Sequence, residues 1–426
     1  MSTTTQDPAT ETATEVSTPK VTVPFFRPDL GDAEIDEVVA TLRSGWLTTG
    51  PRTAQFEKAF AEAVGAPHAV AVNSCTAAMH LGVETLGLRP GQAVLVPTMT
   101  FAASAEVVRY LGGVPVLVDC DPETLNVDLD DAERKLAQLR DGDLPFSDSD
   151  LGRDLEPVGL IPVHVGGRML DIDAVQDFGR RHDLWLLEDA AHAFPAAWRP
   201  SADAPWQRCG DRTADITCYS FYANKTITTG EGGMAVTADP ELADRMRCLS
   251  LHGLSHDAWG RYTSKGSWDY RIFAPGYKYN LTDVASAIGL HQLARAEELR
   301  IERERLAGLF SEAFADLDAI ELPPPVGERI HSWHLYQIRL RAGAWGIDRD
   351  TFLTQLRERG VGFSVHWRPL HLHPYYQETF GWRAEDLPVA SEVWQRTVSL
   401  PIFPGMTDAE VDAVVAAVRG LTALHT

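Results

Sequence analysis

The sequence ITCYSFYANKTITTGEGGMAVT, residues 216–237, carries the clearest structural signal in the chain. Its opening ITCYSF is rich in β-branched and aromatic residues and predicts a buried strand, and the closing MAVT predicts a second strand. Between them lies a polar turn that contains Lys225, and the glycines of GEGG at 230–233 permit a tight reversal of the backbone. Taken alone, this lysine is compatible with a surface cation as well as with a functional amine.

Short apolar segments of the same kind recur along the first 300 residues, separated by lengths that fit a helix. They are AVAV at 69–72, AVLVPTM at 93–99, VPVLVDC at 114–120, GLIPVHV at 159–165 and LWLLEDAA at 184–191. Segments that are apolar on both faces and joined by helical crossovers are typical of buried parallel strands. We therefore predict an α/β protein in which residues 21–300 form one large, mostly parallel α/β/α domain.

A long helical pattern from about residue 282 connects this domain to a second unit. That unit contains HLYQIRL at 334–340, a helical pattern at 351–360 and a final helical pattern at 408–421. Residues 301–426 are therefore expected to form a smaller α+β C-terminal domain. Two polar stretches, 141–157 and 199–215, are predicted to be surface loops.

Composition limits the class of protein. The chain has 426 residues, of which 44% are apolar and 23% charged, as in ordinary globular proteins. Its net charge of −22 argues against nucleic acid as a partner, because phosphate binding needs a clustered basic surface. Five cysteines without CxxC spacing indicate neither a disulfide framework nor a zinc site.

The N-terminus and the hydropathy pattern bear on location. No apolar run reaches the roughly 18 residues of a membrane span, and the N-terminus has no signal-peptide pattern. We expect a cytoplasmic protein without a membrane partner. Residues 1–20 are rich in threonine and contain no aromatic residue, so they are expected to be a disordered tail.

Two further motifs place functional groups where strands end. LWLLEDAAHA, residues 184–193, leaves a buried strand through Glu188 and Asp189, at the edge where open α/β sheets bind ligands. A salt bridge or a helix cap explains either acid equally well. NSCTAAMHL, residues 73–81, passes from a strand into a helix, and such a helix N-terminus attracts anions, although an ordinary cap has the same sequence.

Together the three motifs match the requirements of pyridoxal 5′-phosphate (PLP). This cofactor needs a lysine for its aldehyde, an anion beside its pyridinium nitrogen and a helix N-terminus for its phosphate. It also commonly needs an aromatic platform, and Phe101 in VPTMTFAAS follows another predicted strand. We therefore predict a PLP-binding enzyme.

Four motifs resemble those of the sugar aminotransferases of the DegT/DnrJ/EryC1/StrS family. They are SFYANKTITTGEGG, EDAAHA, NSCTAAMHL and GYKYNLTDVASAIGLHQL, the last at 276–293. The resemblance covers about residues 22–424 and implies fold type I of the PLP-dependent transferases, the architecture of aspartate aminotransferase. GYKYNLTD is most similar to the branch that makes UDP-4-amino-4-deoxy-L-arabinose and related 4-amino sugars.

The resemblance implies an activity and the residues that perform it. An amino group would pass from L-glutamate to the keto group, at C4, of a nucleotide-diphosphate sugar. Lys225 would bind the cofactor covalently and shuttle a proton, while Asp189 would keep the pyridine nitrogen protonated. His192 would lie near the O3′ atom or one ring face, and Phe101 would stack on the other face.

The remaining implied contacts concern the phosphate and the substrate. The phosphate would be held by Ser74, Cys75, Thr76 and Ser220, together with Asn280 of a neighbouring subunit. The resemblance thus implies an obligate homodimer with shared active sites. His334, His366, Trp367 and Arg368 are the expected contacts to the substrate.

Several alternatives remain open. Sugar 3-dehydrases of the same fold carry histidine at the lysine position, so Lys225 argues against that activity. Amination of a non-nucleotide cyclic ketone, as in aminocyclitol synthesis, or at C3 of a nucleotide sugar is not separated by the sequence. A further alternative is a ligand-sensing regulator that keeps the fold but catalyses no reaction.

His366, His371 and His373 raise the question of a metal, but no cysteine or carboxylate nearby completes a ligand set, and no metal is expected.

Overall fold

The computed structural model describes residues 22–147, 149–152, 154–254 and 271–426. The tail predicted at 1–20 lies outside the described residues. The strands are β1 (His68–Val72), β2 (Gln92–Pro97), β3 (Val114–Val118), β4 (Glu156–Leu160), β5 (Trp185–Asp189), β6 (Ala197–Trp198), β7 (Gln207–Arg208), β8 (Ile216–Ser220), β9 (Gly233–Thr237), β10 (Ile320–Glu321), β11 (Arg329–Ile330), β12 (Tyr336–Leu340) and β13 (Thr397–Leu400).

The helices alternate with these strands in the first part of the chain and cluster in the last part. They are α1 (Asp32–Ser44), α2 (Pro51–Val64), α3 (Cys75–Thr85), α4 (Ala103–Tyr110), α5 (Leu129–Asp141), α6 (Ile172–His182), α7 (Pro240–Ser250), α8 (Asp283–Ala294), α9 (Ala296–Phe314), α10 (Arg349–Glu358), α11 (Pro374–Phe380), α12 (Pro388–Val393) and α13 (Asp408–His425). No helix in the described part of the chain combines the length and apolarity needed to cross a bilayer.

The central sheet has seven strands in the order β1-β9-β8-β5-β4-β2-β3. The five strands from β8 to β3 are parallel, whereas β9 runs antiparallel to both of its neighbours. The predicted α/β architecture with a mostly parallel sheet is confirmed. The predicted strand GLIPVHV is displaced toward the N-terminus and ends at Leu160, before Pro162, which has no N–H for the ladder.

An aromatic cluster fixes the sheet at β8, the strand that leads into the lysine turn. Phe60 on α2 contacts the rings of Tyr219 and Phe221 at centroid distances of 5.0 and 5.3 Å. All three side chains are fully buried. Because edge-to-face aromatic pairs add to the free energy of burial, this cluster anchors the strand from the helical side.

The C-terminal unit is built on a three-stranded antiparallel sheet in the order β10-β12-β13. The helical pattern from residue 282 is divided into α8 and α9 by a break at Arg295. The core of this unit also includes Val23, whose backbone pairs with Val361. The first described residues therefore pack with the C-terminal unit, although they precede the large domain in the chain.

The stretch 199–215 is more structured than the predicted surface loop. It contains β7, which pairs with β6, and β6 in turn pairs with β11. Thr213, near its end, is fully buried. Periodicity could not reveal this arrangement, because each of these strands has only two residues and its pairing partner is distant in the chain.

One buried carboxylate caps a helix that is distant in sequence. Asp283, the first residue of α8, is 1% exposed. One of its oxygens accepts hydrogen bonds from the amide and the hydroxyl of Thr53 at 2.9 and 2.8 Å, and the other accepts the amide of Arg52 at 3.1 Å. The residue before α2, Gly50, has no side chain to provide a cap, so Asp283 supplies it.

We predict that Asp283→Ala lowers the free energy of unfolding by about 2–4 kcal/mol, because it leaves buried donors at the start of α2 without an acceptor. Asp32→Ala, an exposed position in the first turn of α1, is the matched control and should change stability by less than about 0.5 kcal/mol. Urea denaturation of both variants measures the difference. Equal effects of the two substitutions would contradict the capping role.

Candidate active site

A cavity of about 510 Å³ lies at the carboxyl ends of β5 and β8. It brings together most of the residues singled out in the sequence. These are Ser74, Cys75, Thr76, Phe101, Asp189, His192, Ser220, Lys225, His334, His366 and Trp367. Ligands of open α/β sheets bind at this edge, so the position of the cavity agrees with the topology.

Lys225 provides the amine of the cavity. It lies in the turn between β8 and β9, where its amide donates a hydrogen bond to the carbonyl of Tyr222 at 3.0 Å. Burial lowers the pKa of Lys225 to about 8, although the neighbouring Cys75 and Asp189 act to raise it. A larger fraction of this amine is therefore uncharged near neutral pH than for an exposed lysine.

Asp189, the last residue of β5, is the carboxylate of the cavity and is 5% exposed. The hydroxyl of Ser104 on α4 donates to its Oδ2 atom at 2.7 Å, and the amide of Ala191 donates to its Oδ1 atom at 3.1 Å. A carboxylate has about four lone-pair sites, so Asp189 can still accept a hydrogen bond from a ligand in the cavity.

The adjacent acid, Glu188, faces the other side of β5 and serves the fold. Thr213 and Thr217 donate to its Oε2 atom at 2.5 and 2.7 Å, and His164 lies 3.3 Å from Oε1. Burial acts to raise the pKa of Glu188, but the hydrogen bonds from these three side chains hold it below its ordinary value. The charge at this position therefore has its partners inside the protein fold rather than in the cavity.

His164, Glu188 and Cys209 together have the composition of a metal site. The amide of Leu170 donates to Nδ1 of His164 at 3.2 Å, which requires the proton of a neutral ring to be on Nε2. That Nε2–H faces Glu188 and is not free to ligate a metal. His164 thus presents an N–H rather than a lone pair to this cluster, which does not favour a metal.

The N-terminus of α3 forms one wall of the cavity. Ser74 caps the helix by accepting the amide of Ala77 at 3.0 Å. The amides of Cys75 and Thr76 precede the first helical hydrogen bond and remain available, at the positive end of the helix dipole. A Cβ atom on Gly233 would lie 2.4–2.6 Å from the backbone of Ser74 and Cys75, so only glycine allows β9 this close.

Three imidazoles and one indole form the opposite wall. His192 stacks on Trp367 at a centroid distance of 5.2 Å and contacts His334 at 4.1 Å. Burial, together with the charge of Lys225, lowers the pKa of His192 and of His334 well below the usual value, and it lowers the pKa of His366 to about 3. These rings are therefore neutral at physiological pH and act as hydrogen-bond donors and acceptors.

Some of these imidazole nitrogens lack a partner among the described residues. Both ring nitrogens of His334 and Nδ1 of His192 are buried and make no hydrogen bond. Buried polar atoms are nearly always paired in folded proteins, so unpaired nitrogens that line a cavity indicate a site for a polar ligand or water.

Two of the predicted site residues do not line this cavity. The side chain of Asn280 donates to the hydroxyl of Thr49 at 2.6 Å and accepts from Lys278. Arg368 is exposed and donates to the carbonyl of Leu372 at 2.7 Å. Their assigned contacts to phosphate and substrate therefore stay predictions.

His366 and His371, two of the three histidines considered for a metal, use their ring nitrogens in hydrogen bonds to hydroxyl groups. His371 is fully buried, and its two ring nitrogens make 2.7 Å hydrogen bonds to the hydroxyls of Thr98 and Ser391. His366 uses Nδ1 to bond the hydroxyl of Ser399 at 2.8 Å. Both residues thus take part in hydrogen bonds that hold the chain near the cavity.

The sequence analysis missed several residues that line or support the cavity. Tyr222, Asn224 and Glu231 lie in the same turn as Lys225, and their place in the quoted motif was a usable signal. Ser104 had a weaker signal, since it lies three residues after Phe101 at the start of α4. Its hydrogen bond to Asp189 depends on how α4 meets β5, which a local pattern does not contain.

The observed groups fit PLP. The cavity offers an amine of lowered pKa, a buried carboxylate with unused acceptor sites, and the free amides at the start of α3. These are the partners required by the aldehyde, the ring nitrogen and the phosphate. The volume is also within the range of small-molecule sites.

Comparison with known proteins also indicates an aminotransferase. The sequence model of the DegT/DnrJ/EryC1/StrS aminotransferase family matches residues 28–419. The chain is 42% identical over 400 residues to the spore coat polysaccharide biosynthesis protein SpsC of Bacillus subtilis, covering 94% of this chain and 97% of SpsC.

Solved structures agree with the sequence relatives. Spr1654 of Streptococcus pneumoniae, described as a sugar aminotransferase and solved in a PLP form, has a TM-score of 0.82 at 30% identity, covering 94% of this chain and 99% of that one. The aminotransferase TlmJ of Streptoalloteichus hindustanus has a TM-score of 0.81 at 31% identity, with coverages of 94% and 99%. The fold is therefore that of the type I PLP-dependent transferases, and the chain belongs to the DegT/DnrJ/EryC1/StrS family as a PLP-dependent sugar aminotransferase.

Proposed function

We propose that this enzyme transfers an amino group from L-glutamate to the keto group at C4 of a nucleotide-diphosphate sugar. The observation that carries the proposal is the convergence of Lys225, Asp189 and the start of α3 on one cavity whose opposite wall is uncharged. SpsC, the polysaccharide biosynthesis relative, supports a sugar as the amino acceptor.

The chain supplies binding and proton transfer. When bound, PLP acts as an electron sink that acidifies the hydrogen next to the reacting amine. Lys225 would hold the cofactor covalently until the amino donor displaces it, and the uncharged amine so released would take a proton from the donor carbon and return one to the acceptor carbon. Asp189, whose Oδ2 atom already accepts a hydrogen bond from Ser104, would accept a second one from the ring nitrogen. His192 would lie against one ring face, and Phe101 would cover the other.

The neutral wall suits the sugar part of the acceptor. Uncharged imidazoles both donate to and accept from hydroxyl groups, and the indole of Trp367 offers an apolar face to a pyranose ring. His334 and His366 are the proposed hydrogen-bonding partners. Arg368 follows this wall in the chain and is exposed, so we assign it to the diphosphate at the edge of the cavity.

The active enzyme is proposed to be an obligate homodimer in which Asn280 completes the phosphate site of the partner subunit. Two aromatic side chains at the cavity, Phe101 and Tyr222, are 63% and 45% exposed. Large exposed aromatic groups beside a functional cavity are typical of a surface that a second protein covers.

All five cysteines are free thiols, which supports the proposed cytoplasmic location, a reducing compartment.

The first test follows the two half-reactions by absorbance. The purified protein should be yellow, and L-glutamate should bleach the colour as the amino group moves to the cofactor. Keto-sugars linked to UDP or dTDP, then C3-keto isomers and a cyclitol ketone, are added to the bleached enzyme. Return of the colour only with a C4-keto nucleotide sugar supports the proposal, whereas return with the cyclitol ketone alone rules out the nucleotide-sugar assignment.

We predict that Lys225→Ala abolishes turnover, because no other amine of the described residues lines the cavity. The variant should keep its oligomeric state and its thermal unfolding midpoint within a few degrees, since ring and phosphate contacts do not use this amine. Turnover assays and size-exclusion chromatography measure the two effects. Activity comparable with that of the wild type would remove Lys225 from the mechanism.

The lowered pKa of Lys225 predicts a pH dependence for cofactor capture. The uncharged amine attacks the aldehyde, so the rate of PLP incorporation into cofactor-free protein should rise with pH through about 8 and then level off. With this midpoint, the rate of incorporation should rise about tenfold between pH 7 and pH 9. The rate of absorbance change measures it, and a midpoint near 10.5 would show that the cavity does not perturb the lysine.

Shared active sites predict complementation between two inactive variants. Lys225→Ala and Asn280→Ala homodimers should each have little activity. A mixed dimer has one site with both substitutions and one site with neither, so random mixing should restore about a quarter of the wild-type activity. Activity of the mixture equal to the average of the separate variants would place Asn280 outside the partner's site.

A further inference from the structure

Arg303 on α9 is a buried cation that the proposed mechanism does not use. It is 2% exposed, and none of the carboxylates in the described ranges pairs with it. By contrast, Arg300 on the same helix forms ion pairs with Glu297 and Glu304. Removing a guanidinium from water is unfavourable unless hydrogen bonds replace its hydration, so core packing alone does not explain this residue.

Arg303 directs its charge onto backbone carbonyls behind the cavity wall. Its Nη1 atom donates to the carbonyls of Ile402 and Trp333 at 2.8 and 3.3 Å, and the carbonyl of His334 lies at 3.5 Å. Trp333 has a φ of 49°, a left-handed conformation that side-chain-bearing residues seldom adopt. Its amide donates to Nδ1 of His331 at 2.8 Å, so residue 333 is held at both of its peptide groups.

The backbone at this point determines where His334 points. The ring of His334 is 4% exposed and packs against His192, and neither of its nitrogens has a partner among the described residues. Its orientation is therefore not fixed by hydrogen bonds of its own. It depends on the ring contact and on the conformation of the chain at 333–334, which Arg303 holds.

We propose that Arg303 is a positioning residue of the active site, which fixes the chain at Trp333 and His334 and thereby sets the His334 ring beside His192 and Lys225. The inference rests on the proposed role of Lys225. The charge of Arg303 also acts on that amine: after burial, which is the main cause, it contributes to lowering the pKa of Lys225.

The groups that face Lys225 come from several elements, so the contribution of Arg303 must be separated from theirs. They are Cys75 on α3, Asp189 at the end of β5, His192 after it, Glu231 in the turn before β9, and His334 and His366 of the C-terminal unit. Of these, Cys75 and Asp189 raise the pKa of Lys225. All of them remain unchanged in the variants below.

The test compares Arg303→Met, which removes the charge, with Arg303→Lys, which keeps the charge but cannot reach the same carbonyls. Arg300→Met, one turn away, is the control for losing a buried arginine. In cofactor-free protein, an amine-directed reagent and peptide mass mapping give the pH dependence of Lys225 modification. We expect a midpoint near 8 in the wild type, the control and Arg303→Lys. Arg303→Met should raise it by roughly half a unit, which lowers the reactive fraction at pH 7 about threefold.

The second measurement separates positioning from stability. In the loaded enzyme, Arg303→Lys should raise KM for the keto-sugar roughly fivefold, through the loss of one well-placed hydrogen bond. It should change the rate of the glutamate half-reaction less than KM for the keto-sugar, because His334 is a proposed partner of the sugar. Identical behaviour of Arg303→Met and Arg300→Met in both measurements would overturn the proposal. If Arg303→Met does not fold, an unchanged KM in Arg303→Lys overturns it. A wild type that accepts no sugar refutes the proposed function, while the Lys225 midpoints still test Arg303.

Discussion

The close approach of β9 to the first turn of α3 is the constraint on which the site depends. A side chain at Gly233 would collide with the peptide between Ser74 and Cys75. Because β9 pairs with β8, this approach also determines where the intervening turn, and with it Lys225, meets the helix N-terminus. Amine and anion-binding amides are therefore brought to one cavity by backbone packing, before any side chain contributes.

Burial then adjusts the chemistry of the groups that the backbone has assembled. Desolvation disfavours charge on Lys225 and on the surrounding imidazoles alike, and it leaves a cavity whose hydrogen-bonding groups are mostly uncharged. Two neighbours of the lysine, Cys75 and Asp189, oppose this effect, since both favour its ammonium form. The resulting pKa of Lys225, about 8, is close to neutral pH.

The sequence was sufficient to predict the strands of the central sheet and many of the residues that line the cavity. Its strands are apolar on both faces, and the functional side chains follow them directly, so local pattern and chain order contain the information. Contacts between distant segments were not predictable. Thr213 bonds to Glu188 across 25 residues and Asp283 caps α2 across 230 residues. Such contacts depend on how packed elements meet and on the rotamers that packing selects, which no local periodicity records.

The consecutive acids of β5 show why chemistry alone did not separate a structural residue from a functional one. In the sequence, Glu188 and Asp189 are equally good candidates, because both end the same buried strand. Alternation along the strand turns them to opposite faces, and the two faces differ in how many donors they offer. Glu188 accepts hydrogen bonds from two hydroxyls and lies 3.3 Å from the imidazole of His164, all on the side of the strand away from the cavity. Asp189 accepts one hydrogen bond from a hydroxyl and one from an amide, and its remaining lone pairs border the cavity. Position at the cavity, rather than residue type, therefore distinguishes Asp189, the acid proposed to bind the cofactor, from Glu188.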